Sequence, residues 1–253
     1  MRSFPTWDGI EIVYQQWGEP TGLPPVVLQH GFVADANANW VIPGIVDALL
    51  AAGRQVIAPD ARGHGRSQKP HDPSFYGEQR MARDLGCLLE LTGPVEVDLV
   101  GYSMGAIVAL IFSSGDRRVR RLVVGGVGSG VIECGGVDRR AISNESIIEA
   151  LSVEDPSRLE DQGARAFRAL ADALGADRGA LVAQASSIYR GCIALERITA
   201  PTLLLAGRED PLALRPEVLA EALPDATLRL VPGNHIAAVA DPCFTRLLVD
   251  FLA

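Results

Sequence analysis

The chain has 253 residues, 48% of them hydrophobic and 21% charged, with a formal net charge of −8 at pH 7. That length can bury a substantial core as one large domain or two small ones, and the composition is that of a soluble globular protein. The acidic balance argues against a nucleic-acid partner, no apolar run approaches a membrane span, and the start, Met1-Arg2-Ser3-Phe4-Pro5, has no hydrophobic signal region, so no membrane partner is expected either. Arg117, Arg118, Arg120 and Arg121 come nearest to a basic cluster and read as a solvated rim leading into a strand. Cys87, Cys134, Cys192 and Cys243 are scattered without metal-ligand or redox spacing. The expectation is reduced thiols in a cytoplasmic protein that holds no metal and no cofactor.

Taken in order, residues 2–7 and 10–17 read as two strands joined at Asp8-Gly9, a hairpin signal. Val26-Val27-Leu28-Gln29 is a short buried strand ending at His30-Gly31-Phe32. A polar loop from Asp35 to Asn39 leads to a helix expected from Trp40 to Ala52, with Gly53 at its C-terminal cap. Residues 54–59 form the next strand, and a polar stretch from Asp60 to Ser74 precedes a helix from Tyr76 to Leu91, in which Met81, Leu85, Leu88 and Leu89 recur at helical spacing. Gly93-Pro94 breaks that helix, and a strand through Val97, Leu99 and Val100 follows. Leu122-Val123-Val124 is another strand, feeding a glycine-rich turn from Gly125 to Gly136.

Residues 137–195 change character: helical periodicity over 146–151, 164–174 and 180–189, with no strand between. Alternation resumes with Thr202–Leu205, a helix near Pro216 to Leu223, a strand from Thr227 to Val231 and a final helix from Cys243 to Leu252. Alternating strands and helices imply a mostly parallel sheet with helices on both faces. The expectation is an α/β core over residues 1–136 and 196–253, interrupted by a helical cap insertion over 137–195.

The chemistry centres on Gly101-Tyr102-Ser103-Met104-Gly105, set between the Val97–Val100 strand and an Ala- and Leu-rich helical run. This is the G-x-S-x-G pattern, in which a serine sits on a sharp, strained strand-to-helix turn and glycines two residues either side make room for it. By chance the string should occur on the order of once in ten such sequences, so its context between strand and helix is what gives it weight. The turn leaves the Ser103 hydroxyl at a helix N-terminus, where a developing oxyanion is favoured.

Such a serine needs a base, and the base needs an acid. His235 follows the last strand directly. His30 shapes a turn beside Gly31, His64 sits between two glycines, and His71 lies in a Pro-flanked polar loop. An elbow serine requires the order Ser, Asp or Glu, His. Asp210, in Leu205-Ala206-Gly207-Arg208-Glu209-Asp210-Pro211, satisfies that order, with Glu209 its rival and Glu133 a distant third. Two N–H groups should hold the oxyanion: that of Met104, which comes with the elbow, and that of Phe32, in the loop after the early strand.

Together, His30-Gly31-Phe32, the stretch Pro59–Ser67, Gly101–Gly105, Gly207–Pro211 and Asn234-His235 resemble the α/β-hydrolase fold superfamily over nearly the full chain. The resemblance implies Ser103 as nucleophile, His235 as base, Asp210 as acid, and Phe32 and Met104 as oxyanion donors. It gives Asp60 and His64 a structural loop and no catalytic role. The chain looks most like small capped esterases, enol-lactonases and cofactor-free haloperoxidase-like enzymes. Serine at position 103 speaks against dehalogenases and epoxide hydrolases, which use aspartate there. Asn234 before the histidine, and Ala106 where another glycine is common, depart from the family pattern.

The leading expectation is a serine hydrolase acting on a small-molecule ester or lactone through an acyl-enzyme. Cleavage of a carbon–carbon bond or perhydrolysis would use the same triad. A non-catalytic ligand receptor on a hydrolase scaffold is the contrasting class, and the complete Ser, Asp and His set disfavours it.

Overall fold

In the computed structural model, which describes residues 1–136, 138 and 140–253, an eight-stranded sheet runs through the molecule. Strands β1 (Arg2–Pro5) and β2 (Glu11–Trp17) form the expected hairpin and pair antiparallel. The remaining strands are β3 (Val26–Gln29), β4 (Val56–Pro59), β5 (Val97–Tyr102), β6 (Val119–Gly125), β7 (Thr202–Gly207) and β8 (Ala226–Val231). Their order across the sheet is β1-β2-β4-β3-β5-β6-β7-β8, with β3 to β8 parallel.

Alternating side chains send each strand's residues to opposite faces. Val97 and Leu99 join a core with Met81, Leu85 and Ile107, whereas Val100 and Tyr102 join one with Leu49, Phe244 and Leu248. Helices therefore cover both faces. In chain order they are α1 (Ile45–Ala51), α2 (Glu78–Thr92), α3 (Met104–Ser113), α4 (Gly130–Glu133), α5 (Asn144–Ser152), α6 (Gln162–Ala173), α7 (Arg178–Ala185), α8 (Pro216–Ala222), α9 (Ala237–Ala240) and α10 (Pro242–Leu252).

The structure corrects four expectations. The helix expected from Trp40 to Ala52 is broken: a π-helical turn spans Asn37–Val41, and α1 starts only after Pro43 and Gly44. Pro43 disfavours helical backbone before it, and Gly44 adopts φ 81, outside the right-handed helical region. The stretch from Gly125 to Gly136, read as turn throughout, contains α4. The helix expected to run to Tyr189 stops at Ala185. Arg120 and Arg121 are no solvated rim. Both lie within β6, where Arg120 meets the fully buried Asp98 at 2.6 Å and Arg121 Nη1 donates to Phe251 O at 2.7 Å. Arg54 pairs with the same Asp98.

Helices α5, α6 and α7 occupy the segment expected to form the cap, whose first residue, 137, lies outside the described residues. Ser143, Asp161 and Asp177 cap them by accepting from the N–H groups of Ser146, Ala164 and Ala180. Leu151, Ala171 and Leu181 pack together with Val33 from the loop after β3, which fastens these helices over the C-terminal edge of the sheet.

Candidate active site

The turn between β5 and α3 holds Ser103 at φ 54, ψ −118, a backbone state worth on the order of 1–3 kcal/mol of strain. Both flanking glycines are sterically required. A Cβ on Gly101 would stand 2.2 Å from Gly105 O, and one on Gly105 would stand 2.1 Å from Gln29 O. Neither contact is survivable without moving backbone, so the residue types of the motif follow from the tightness of the turn.

Two loops, one after β7 and one after β8, complete the arrangement. His235 Nε2 lies 2.9 Å from Ser103 Oγ, and its Nδ1 lies 2.8 Å from Asp210 Oδ2 and 3.0 Å from Oδ1. With the Asp210 carboxylate accepting from Nδ1–H, Nε2 is left bare to accept the serine proton. Asp210 is fully buried and also accepts from Leu212 N–H at 2.9 Å, which fixes its orientation. Glu209, the rival acid, points elsewhere: it accepts from Gly233 N–H at 2.7 Å and steadies the histidine loop. Gly207 lets the two loops meet, since a Cβ there would stand 2.3 Å from Gly233 O. Glu133 pairs with Arg140 and Arg215 instead.

The loop after β3 lies against the elbow. A Cβ on Gly31 would be 3.4 Å from Ser103 Cβ. Phe32 and Met104 both line the cavity at Ser103, and among the described residues neither N–H has an acceptor, as two candidate oxyanion donors require.

Three supporting residues escaped the sequence reading. Asn39 Oδ1 accepts Gly31 N–H at 2.9 Å and so sets the loop that carries Phe32. Val33 follows at φ 71, a rare state for a β-branched residue. Tyr102 Oη donates to His235 O at 2.6 Å, holding the backbone of His235 from within the elbow. Asn39 and Val33 carry no motif that could have revealed them; Tyr102 stands inside one. Asn234, the departure from the family pattern, caps α9 by accepting from Ile236 and Ala237 N–H, both at 3.1 Å.

His30 and His64 are buried, whereas the exposed His71 meets Asp177 Oδ1 at 2.8 Å. His30 accepts from Ala61 N–H at 2.8 Å through Nε2. His64 is buried beside it, and burial, with His30 adjoining, pushes it down to about 3. Asp60 accepts from Ala36 and Arg66 N–H, both at 2.9 Å, and serves the loop alone.

Two cavities meet at Ser103. One is about 80 Å³ and lies on the side of Phe32, Met104 and Ile107. The other is about 410 Å³, more open, and lies on the side of His235 and Ile236. Phe167 of α6 borders both. Among the described residues, no group of His, Cys, Asp and Glu side chains is arranged to hold a metal ion, and no helix is long and apolar enough to cross a membrane.

The sequence signature of the α/β-hydrolase fold matches residues 24–129, which hold β3, the elbow and its helix. Beyond that span, the chain is 33% identical over 231 residues to a protein of Variovorax paradoxus provisionally named carbamate hydrolase RutD, covering 81% of this chain and 84% of that one. The chain belongs to the α/β-hydrolase family. Within it, the non-heme chloroperoxidase CPO-A1 of Kitasatospora aureofaciens is 28% identical across 98% of both chains. The enol-lactonase of Burkholderia xenovorans LB400 superposes with a TM-score of 0.75 over 99% of both chains at 21% identity, a likeness of fold.

Proposed function

We propose that this α/β-hydrolase family member is a serine hydrolase that cleaves a small carboxylic ester or lactone through an acyl-enzyme on Ser103. The observation that carries the proposal is the unbroken line Ser103 Oγ, His235 Nε2, His235 Nδ1, Asp210, with links of 2.9 and 2.8 Å, opening onto a cavity. In this reading Ser103 attacks the carbonyl while His235 takes its proton, and Asp210 stabilises the imidazolium. The N–H groups of Phe32 and Met104 receive the oxyanion. His235 then protonates the departing alkoxide, and water, deprotonated by the same histidine, releases the acid and frees Ser103. Residues 1–136 and 196–253 would be the catalytic body and 137–195 the cap. The scattered cysteines keep a cytoplasmic location as part of the reading.

The full-length match to a non-heme chloroperoxidase supports a second reading, in which hydrogen peroxide replaces water at the acyl-enzyme and a peracid leaves. A panel of p-nitrophenyl esters from acetate to octanoate, together with lactones, tests both. Repeated turnover of a short ester or a lactone is expected. Peracid formed on adding peroxide, at a rate exceeding hydrolysis, would favour the second reading. Absence of turnover across the whole panel would sink both.

A further inference from the structure

The larger cavity at Ser103 is walled by apolar side chains from three separate parts of the fold. Ile42 follows the π-helical turn, Leu170 and Leu174 stand four residues apart at the end of α6, Ile236 precedes α9 and Val239 lies within it. Ile42 is 71% exposed, Ile236 55% and Leu174 38%, so these three form the rim. Single apolar side chains on a surface need no explanation, but three that line one cavity beside a nucleophile mark a ligand site. Among the described residues, no Asp, Glu, Lys or Arg lines this cavity. Its polar side chains serve the protein: Tyr102 Oη donates to His235 O, Asn234 Oδ1 accepts from Ala237 N–H, and Asn39 Oδ1 accepts from Gly31 N–H. Asn39 Nδ2 is unmatched, and as a neutral amide it offers an anion no countercharge.

The order of proton transfers decides which part of a substrate this cavity receives. His235 must hand its proton to the leaving oxygen, and His235 borders the larger cavity and not the smaller one. Met104, which carries one of the two oxyanion donors, borders only the smaller one. The alcohol side of an ester therefore lies towards Ile236, and the acyl side towards Met104.

We propose that the larger cavity selects esters whose alcohol portion is apolar and carries no negative charge, by covering Ile42, Leu174 and Ile236. The inference rests on the acyl-transfer reading of Ser103. An apolar group seated there removes those side chains from water along with itself. A carboxylate at the same point would lose hydration without gaining a cation, and burying an unpaired charge costs far more than misplacing a methyl group.

Three aryl acetates share the acyl group and differ only at the para position: 4-isopropylphenyl, 4-carbamoylphenyl and 4-carboxyphenyl acetate. The substituents are close in size, and intrinsic reactivity favours the last two, whose phenolates leave more easily. Their kcat/KM would be measured in wild type, Leu174→Arg and Ile42→Arg, with phenyl acetate as reference and Ser103→Ala as blank. Wild type is expected to favour isopropyl over carboxylate by about tenfold or more, with the amide between. Leu174→Arg should lower that ratio several-fold at low salt by supplying the missing cation. It should keep the thermal midpoint, because the position is exposed and a cation suits a helix C-terminus. Ile42→Arg, on another wall, should act in the same direction and decides if Leu174→Arg does not fold. A wild-type preference for the carboxylate ester, or a ratio that neither arginine moves in a folded protein, would overturn the proposal. So would an arginine effect seen only on p-nitrophenyl phenylacetates carrying the same substituents, which would assign the cavity to the acyl group. Turnover of phenyl acetate without discrimination among the three esters removes this inference alone. No Ser103-dependent turnover of any ester removes the serine-hydrolase reading and this inference with it.

Discussion

The C-terminal edge of the sheet and the helices above it solve opposite problems. At the C-terminal ends of the strands, Ser103 and Asp210 follow β5 and β7, both buried between two extensive cores, and His235 follows the edge strand β8; their spacing is held by backbone contacts that admit no Cβ. Helices α5 and α6 are held by small clusters, Leu151, Ala171 and Leu181 with Val33 in one and Ala150, Leu159 and Ala164 in the other, while α7 also sends Ala180 and Ala183 into the main core. The sheet edge can hold these side chains in place because a whole core over-determines it. The upper layer turns several apolar side chains to the cavities, which suits the choosing of substrates. Chemistry should therefore fail when the edge is altered, and selectivity should shift when the cap is altered.

The sharpest way to break that contrast is Ser103→Ala. Activity on a short ester should fall by on the order of 10⁴-fold or more, with an unchanged thermal midpoint because the hydroxyl opens onto the cavities at the site and its removal leaves no hole in the core. A variant keeping a tenth of the activity would remove Ser103 from its role. Next comes the acid. Asp210→Asn should cost roughly 10²–10⁴-fold in kcat, because the carboxylate on Nδ1 sets the tautomer, while Glu209→Gln, which touches only Gly233 N–H, should cost little. Reversed effects would mean that the loop rearranges on binding substrate.

The core also titrates where its buried histidines do. His64, held down at about 3, stays neutral in the fold while the unfolded chain takes up a proton below about 6.5. The unfolded state thus binds more protons as pH falls, so stability is full above pH 6.5 and declines below it, by up to about 1.4 kcal/mol per pH unit. Denaturation midpoints between pH 7 and 5 should fall, and the slope should be shallower in His64→Asn. A flat wild-type profile would contradict a neutral buried His64.

The smallest effect belongs to the upper layer. Phe167, whose ring lies 6.1 Å from that of Phe32, borders both cavities. Phe167→Ala should raise kcat/KM for octanoate relative to acetate esters by several-fold, since it enlarges the space beside Ser103. An equal change on both esters, or a change in thermal stability alone, would make this helix scaffold and pass selection to the loop between Phe32 and Asn39.

What could be read from the chain alone was everything carried by local rules. The alternation of strand and helix, the glycines around Ser103, and the order of serine, acid and histidine are written within a few residues of each other or in plain succession, and backbone sterics gives each residue type one reading. Order along the chain left Asp210 and Glu209 as rivals, and only the family resemblance preferred Asp210; the loop's path, with Glu209 turned to Gly233 and Asp210 to His235, is a tertiary fact. The structure decided what depends on partners distant in sequence. Asp98 gathers Arg54 and Arg120 from two other strand edges, Asn39 reaches back to Gly31, and Glu78 meets Tyr189 across 111 positions. A charged or amide side chain looks solvated when only its neighbours in sequence are known. Whether it is buried, and what it then holds, is set by which elements the sheet brings against it, because the cost of burying a polar group is met by partners that packing supplies.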